Sequence, residues 1–553
     1  IMFKEKEMHF SNVPEVSIGR SKMHIPNTHT GSGNAADLIP IFCDNLIQPG
    51  DSVKMRMSSI IRMMTPLVPV MDNAWADIMF FFVPKRLVWD HWNNFWGEND
   101  TEPWIQKIEY SVPKLKAPEN GWTVGSLAEK FGFPIGIGDY EVDALPIRSY
   151  CKLWNDWFRD ENLKNPAYIS TGDSTIQGTD ITEYDDQNPY DYVTGAETGA
   201  ACLKVAKPHD YFTSALPGLQ KGPDVYIPLG ESAPVVGAES PEGYSTATQN
   251  TSLIGKPLSY LRPHNAEYQA AVFSSNEGVV ANQLLQDQYI ALQADLSAAV
   301  GATITQLRQA FAIQRFYEAL ARGGSRYIEI IRNVFGTTAP DYRLQRSEYI
   351  GGCRIPINVS QVIQSDAGAS DATPLGHTGA YSLTADRKDD LFNHAFVEHG
   401  CLIGVMCIRT DHTYSQGIER QYTKFKLFDY YTPQLANISE QAILNKEIYT
   451  QATDEDEEAF GYQEAWAEYR SHKNIVTGEL RVDAPQSLSA WTYADHYTEL
   501  PKLGDEWIDE TKENIERTIA VQNHDQFFFD FYFAPIYTRP MPIYSIPGLT
   551  SHF

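Results

Sequence analysis

The chain has 553 residues, with 71 Asp or Glu against 44 Lys or Arg, for a formal net charge of −27 at pH 7. That balance excludes nucleic-acid binding through a broad basic surface, because such affinity comes mainly from cations that displace phosphate counterions. No apolar run reaches the roughly 18 residues that span a bilayer and the N-terminus has no signal-peptide core, so neither membrane insertion nor secretion by that route is expected.

Prolines at positions 14, 26, 40, 49, 66, 69 and 84 leave only short strands between them. Val53, Met55 and Met57 alternate with Lys54, Arg56 and Ser58, the period of a strand with one wet face. The unbroken apolar run Ile78–Val83, stopped by Pro84, predicts a strand buried on both faces. Trp89, Trp92 and Trp96 then fall at i, i+3 and i+7, one helical stripe that needs a large apolar partner surface. Another subunit is a candidate for that surface.

From Thr171 to Thr251 the chain is dense in turn residues and poor in apolar periodicity, which marks exposed or partner-packed loops. Three helices are expected next. Leu285, Tyr289, Leu292 and Leu296 carry one periodicity before Gly301. Thr303 and Gln306 make a capping box that starts a second helix, running through Phe311 and Leu320 to Gly323. Ser325 starts a third, ending at Gly336. Strands resume at Cys401–Ile408, a buried run, and at Phe527, Phe529, Phe531 and Phe533, which fill one strand face before Pro535. Helices set between such strands read as insertions into an antiparallel sandwich. No Gly/Ser-rich or Pro-rich tract divides the chain, so one elaborated domain is expected.

The charge is uneven. Between Thr171 and Ser245 there are 12 acidic and 3 basic residues, and between Thr453 and Glu516 there are 17 and 5. Between Thr305 and Arg354 the sign reverses, with eight arginines, no lysine and four acids. That segment is the best electrostatic candidate for a phosphate-facing surface, with Arg315, Arg322, Arg326 and Arg332 as the DNA-facing candidates. The competing reading is that these arginines fork onto carboxylates of neighbouring subunits.

Chemical motifs are weak. His394 and His399 in NHAFVEHG stand five apart, a spacing that does not put two metal ligands on one helical face. The acidic run Asp454–Glu458 reads as a solvated face or helix start. There is no nucleophile elbow, Walker loop or dinucleotide fingerprint. No catalytic, cofactor or metal site is therefore assigned. The six cysteines, Cys43, Cys151, Cys202, Cys353, Cys401 and Cys407, contain no CxxC pair and read as free thiols of a reducing cytoplasm. The chain begins with Ile1, and residues before it are expected.

Six segments in order carry a family resemblance. They are GRSKMHIPNTHTGSGNAADLIPIFCDNLIQPGDSVKMRM from Gly19, PVMDN with FFFVP and RLVWDHW from Pro69, KPHDYFTSALPGLQKG from Lys207, GGSRYIEIIRNVFGTTAPDYRLQRSEYIGG from Gly323, YQEAWAEYR from Tyr462, and the terminal IPGLTSHF. Together they resemble the major capsid protein of the gokushoviruses, small tailless single-stranded DNA phages of the microvirus group. Similarity is weak only from about Asp224 to Ala302.

The resemblance implies a mainly β fold: an eight-stranded antiparallel jelly roll with long loop insertions that include several α-helices. Residues 1–223 and 303–553 would form the capsid domain, and 224–302 an insertion that makes a threefold protrusion on the particle exterior. Sixty copies would close into a T=1 icosahedral shell around circular single-stranded DNA. The further partners it implies are a small basic DNA-binding protein packaged with the genome, an internal scaffolding protein and a host-surface receptor. The virion, assembled in the bacterial host cytoplasm, would be the location. Trp89, Trp92, Trp96 and Trp466 are the subunit-interface candidates, Trp466 because its segment is too charged for a core helix. Tyr244, Tyr260 and Tyr268 in the insertion are the host-attachment candidates, suited to stacking on cell-surface sugars. The competing class is a carbohydrate-active enzyme on a β sandwich, which needs two opposed carboxylates at a defined separation. A sequence-specific DNA-binding protein conflicts with the charge and the lack of a groove-reading motif.

Overall fold

The computed structural model describes residues 19–98, 110–167, 169–173, 176–177, 201–222, 235–237, 258–264, 268–275, 278–284, 292–294, 304–323, 345–358, 361–363, 378–381, 384–436 and 438–544. The fold is mainly β, with antiparallel sheets. Among the described residues, ten strands build two facing sheets: β1 (Ser21–His24), β2 (Asn27–Gly33), β3 (Ile39–Ile47), β4 (Ser52–Met63), β5 (Ala74–Pro84), β6 (Glu348–Pro356), β7 (Thr384–Ala395), β8 (Gly400–Thr410), β9 (Phe527–Phe533) and β10 (Ile536–Arg539).

In the first sheet β4 pairs with β7 along one edge. Along its other edge it pairs with β9 and β10 in tandem, and these pair in turn with β2 and β1. The second sheet has the order β6-β5-β8-β3, antiparallel throughout.

Alternation explains which residues fill the space between the sheets. Val53, Met55 and Met57 of β4 and Phe527, Phe529, Phe531 and Phe533 of β9 point inward, as the two-residue period predicts. They meet Ile78, Phe80 and Phe82 of β5 and Leu402, Met406 and Ile408 of β8. Phe42 lies 5.2 Å from Phe533, and Phe80 lies 5.2 Å from Phe392, both ring to ring across the core. Each such side chain contributes about 1.5–3 kcal/mol through burial.

The other faces of β5 and β8 are also buried, which is why their sequences run apolar without alternation. Phe81 and Val83 join Cys401, Ile403, Val405 and Cys407 in a second core, covered by the helix α1 (Leu145–Trp157), Trp89 and Trp92. In α1, Ile147, Tyr150, Cys151 and Trp154 recur at helical spacing and are all buried. No helix was expected there from the sequence. Gly404 lets β8 approach the core aromatics, since a Cβ at that position would sit 2.7 Å from the Phe80 ring.

Two helical expectations fail. Trp89, Trp92 and Trp96 do not share one helix: Lys85–Leu87 is a 3-10 turn, and Trp92–Phe95 is a single helical turn. Asn93 and Asn94 are poor helix formers, and Gly97 at φ +99° turns the chain away. Leu292, expected in a helix, lies in the strand Leu292–Ala294, which pairs with Val235–Gly237. Four apolar residues at a 3.6 period do not outweigh that pairing. The rest of that expected helix, 285–291 and 295–300, lies outside the described residues, as does the expected helix 325–336. The helix begun by the capping box is present as α2 (Ile304–Gly323).

The chain divides into two compact units, one of Ile1–Leu219 with Pro340–Phe553 and one of Gln220–Ala339. The first holds the sandwich. The second holds a three-stranded antiparallel sheet (Leu258–His264, Tyr268–Ser275, Gly278–Leu284), the Val235–Gly237 pair and α2. It reaches beyond the stretch 224–302 to take in α2.

Candidate assembly surface

After β8 the chain enters a series of 3-10 turns, Arg420–Tyr422, Leu427–Asp429 and Pro433–Leu435, carrying the sequence KFKLFDYY. Asp429 fixes the middle turn. Its carboxylate accepts the backbone N–H of Lys426 at 2.7 Å and of Phe425 at 3.0 Å, and these two bonds hold it below the usual carboxylate range. Lys424 closes the turn from the other side: its Nζ donates to the Asp429 carbonyl at 2.9 Å and ion-pairs with Glu468. The same ammonium lies 4.4 Å from the Tyr469 ring centre and 5.3 Å from that of Trp466.

Trp466 is the base of this structure. Its Nε1–H donates to the Leu435 carbonyl at 2.9 Å, and its ring meets Tyr431 edge-on at 5.7 Å. Its backbone is left-handed, at φ +68°. A bulky residue held there costs on the order of 1–3 kcal/mol, so the surrounding contacts must fix it. What this rigid base presents is apolar. Phe425 is 84% exposed, Leu427 and Phe428 are each 74% exposed, and Tyr422 is 70% exposed. A soluble monomer rarely shows large apolar side chains so closely spaced, and such patches mark protein contacts.

The predicted interface tryptophans fall into two groups. Trp89, Trp92 and Trp466 are buried by their own chain, so the partner surface they need is already supplied. Trp89 Nε1–H donates to Asp173 at 2.6 Å, and Lys85 sits 5.0 Å over Trp92. Trp96 is 60% exposed and stacks on His399 with ring centres 4.4 Å apart.

The arginine-rich segment also divides. Arg315 and Arg322 lie exposed on α2 in the second unit, while Arg326 and Arg332 lie outside the described residues. Arg346 stacks on Trp157 at 4.8 Å. Arg354 forks onto Asp77 of its own chain, with N–O distances of 2.6 and 2.9 Å. Arg409 bonds the same carboxylate, and against the effect of burial the two guanidiniums hold Asp77 below the usual range. Tyr260 and Tyr268 lie in strands of the second unit; Tyr244 lies outside the described residues.

The polar residues of the weak motifs have structural partners. Glu398 accepts a forked bond from Arg86 at 2.7 and 3.2 Å, and His394 lies 3.7 Å from Glu348. Asp456, within the acidic run, is buried and accepts the backbone N–H groups of Gln451 and Ala452.

Sequence reasoning missed one buried charge cluster. His412, just past β8, places Nδ1 2.9 Å from Asp495 and Nε2 3.2 Å from Glu510. Burial disfavours its charged form, but Asp495 and then Glu510 outweigh it and raise its pKa to about 10. Against burial, His412 in turn holds Asp495 below its ordinary value, and Asn514 donates to Asp495 at 2.9 Å. The imidazolium therefore staples the segment after β8 to two distant loops. The only hint in the sequence was the acidic excess of 453–516, since nothing there says which acids face inward.

The model of the phage capsid protein (F protein) family matches residues 11–549. This chain belongs to that family. It is 38% identical to capsid protein VP1 of Spiroplasma virus 4 over 552 residues, covering 96% of each chain. It is 36% identical to capsid protein VP1 of Bdellovibrio phage phiMH2K, covering 98% of each. The corresponding protein of Chlamydia phage 1 is 34% identical, covering 98% of this chain and 97% of the relative. The capsid family is the one the six segments pointed to. Among the described residues, no helix is long and apolar enough to cross a membrane.

Proposed function

We propose that the chain is the major capsid protein of a small phage, sixty copies of which close into a T=1 icosahedral shell around circular single-stranded DNA. The observation that carries assembly is the rigid apolar face at Tyr422, Phe425, Leu427 and Phe428, exposed in a chain whose family builds capsids. Aromatic anchors held in place before contact lose little entropy on binding, which lets modest contacts sum over a closed shell.

The sandwich supports a jelly-roll reading. One sheet has the rows β7, β4, β9 with β10, and β2 with β1; the other has β6, β5, β8 and β3. Most neighbours are distant in sequence, as in antiparallel sandwiches whose strands cross between sheets. Jelly-roll loops lie at the sheet ends, where long insertions are tolerated. On this reading the stretch 224–302, within the unit Gln220–Ala339, forms the exterior protrusion and first contacts the host receptor, with Tyr244, Tyr260 and Tyr268 as attachment candidates. Exposed Arg315 and Arg322 on α2, with Arg326 and Arg332, are then candidates for either DNA or neighbour contacts. The acidic balance leaves genome screening to a small basic protein, and an internal scaffolding protein guides closure in the host cytoplasm. Membership of a capsid family speaks against the carbohydrate-active alternative.

Replacing Phe425 and Phe428 together by Ser tests the assembly face. The expected product is soluble protein with an unchanged far-UV spectrum that no longer sediments as shells. Normal shells from that variant would remove this face from assembly.

A further inference from the structure

We propose that Cys43 and Cys401 are a redox pair, which a low-molecular-weight disulfide such as oxidised glutathione converts into a disulfide that locks β3 to β8. That the pair is a dithiol inside the cell rests on the reading that the shell is built in a reducing host cytoplasm; the pairing itself does not. Cys43 Sγ lies 3.6 Å from Cys401 Sγ, although the two residues are 358 positions apart in sequence.

The sandwich brings them together. β3 and β8 pair antiparallel, with Ile403 opposite Cys43 and Leu402 opposite Asp44. Cys401 stands two residues from Ile403 along β8, so it shares a sheet face with Cys43 and meets it diagonally. The register slips between Gly400 and Leu402, and an irregularity of that kind re-aims the side chain it carries. β3 is the edge of its sheet and is hydrogen-bonded within it to β8 alone. A disulfide needs its sulfurs about 2.05 Å apart, and the unpaired edge lets β3 make the remaining approach.

The two thiols differ as an attacking and a resolving cysteine must. Cys43 is exposed, so a dissolved oxidant reaches it. Cys401 is buried, and its contact with Cys43 together with burial raises its pKa well above the ordinary thiol value. It therefore stays protonated and shielded from solvent. In the first step the Cys43 thiolate attacks one sulfur of the oxidant and releases one thiolate, which takes up the Cys43 proton. In the second step the Cys401 sulfur attacks Cys43 Sγ and expels the other thiolate, which takes up the Cys401 proton. The protein loses two protons and two electrons, and the oxidant becomes two thiols. Contact between the sulfurs makes the second step intramolecular, which offsets the weak nucleophilicity of a protonated thiol. The bond closes a very long loop of chain, the case in which a cross-link restricts the unfolded state most. A metal is the competing use of two thiols. Two ligands fall short of the four that a structural zinc site takes, and among the described residues no group of three or more His, Cys, Asp or Glu could hold a metal ion.

The test incubates the purified full-length protein in glutathione buffers of rising oxidised fraction. Remaining thiols are then alkylated under denaturing conditions, and the unreduced peptides are mapped by mass spectrometry. A peptide pair joining Cys43 to Cys401, lighter by two hydrogens, should accumulate and should revert in excess dithiothreitol. The oxidised protein should unfold about 2–4 °C above the reduced one, the shift that the usual stabilisation by a disulfide produces in a chain of this size. Cys43→Ser, at an exposed position, should yield no joined pair and should unfold at the same temperature in both buffers. The peptide map of the unaltered protein decides the matter even if that variant does not fold. Glutathione retained on Cys43 as the end state, with Cys401 alkylated, would overturn the pair. An equal rise in unfolding temperature in Cys43→Ser would overturn the lock. Alkylation at the moment of host-cell lysis separates this proposal from the reading it rests on. Particles with both thiols alkylated are expected, whereas a disulfide already formed inside the cell would overturn the reducing-cytoplasm reading and keep the pair.

Discussion

Single residues decide how much of this surface survives outside the assembled state. His412 is held charged between Asp495 and Glu510, with its pKa raised from 6.5 to about 10. A raised folded-state value means the cluster stabilises fully below the unfolded value and is lost as pH rises through the folded one. Thermal unfolding of the free protein should therefore shift to lower temperature between pH 6.5 and about 10. His412→Gln should flatten that dependence and cost about 3–5 kcal/mol at neutral pH, because two buried carboxylates lose their counter-charge. A pH profile unchanged by the substitution would mean that another group sets it. Trp466 shows what was legible at this scale. Its charged surroundings suggested an interface, yet the residue is buried under the exposed turn rather than standing on it. The left-handed turn that puts it there, at φ +68°, has no glycine or asparagine to announce it.

Elements were legible where one period was sustained. β4 and β9 alternate, β5 and β8 run apolar, and each lies where its pattern requires. β5 and β8 also show why packing is tight. Gly404→Ala would force a methyl to 2.7 Å from the Phe80 ring, so a loss of about 1–3 kcal/mol is expected, measured by urea unfolding. No loss would mean that the Phe80 ring moves freely. The tryptophan stripe misled because three residues at helical spacing do not make a helix when asparagines and a glycine follow. The turn at Leu427–Asp429 carried no period at all, and its role depends on Lys424 and Trp466 reaching it from elsewhere. Trp96, still exposed, makes a second prediction at this scale. Trp96→Ala should leave the second core intact and lower the yield of shells, read by sedimentation; an unchanged yield would confine Trp96 to its stack on His399.

At the scale of the whole molecule, the family was legible because six separated segments kept their order, and the family match over residues 11–549 agrees with them. The proposed assembly face was not legible, because a surface made of turns leaves no periodic trace in one chain. The net charge of −27 sets a further constraint: copies repel one another at long range, so short-range apolar contacts must carry closure. Salt that screens this repulsion should therefore speed assembly of the purified protein, followed by light scattering; slower assembly in salt would mean that ion pairs between copies dominate. The measurement that bears most directly on the function proposed is the mass and symmetry of the assembled protein by native mass spectrometry and electron cryo-microscopy. Sixty copies of the 62.3 kDa chain give closed icosahedral shells of about 3.7 MDa before DNA is added, and that is the predicted result. Monomers, small rings or open filaments as the end state, with the proposed scaffolding protein supplied, would contradict it.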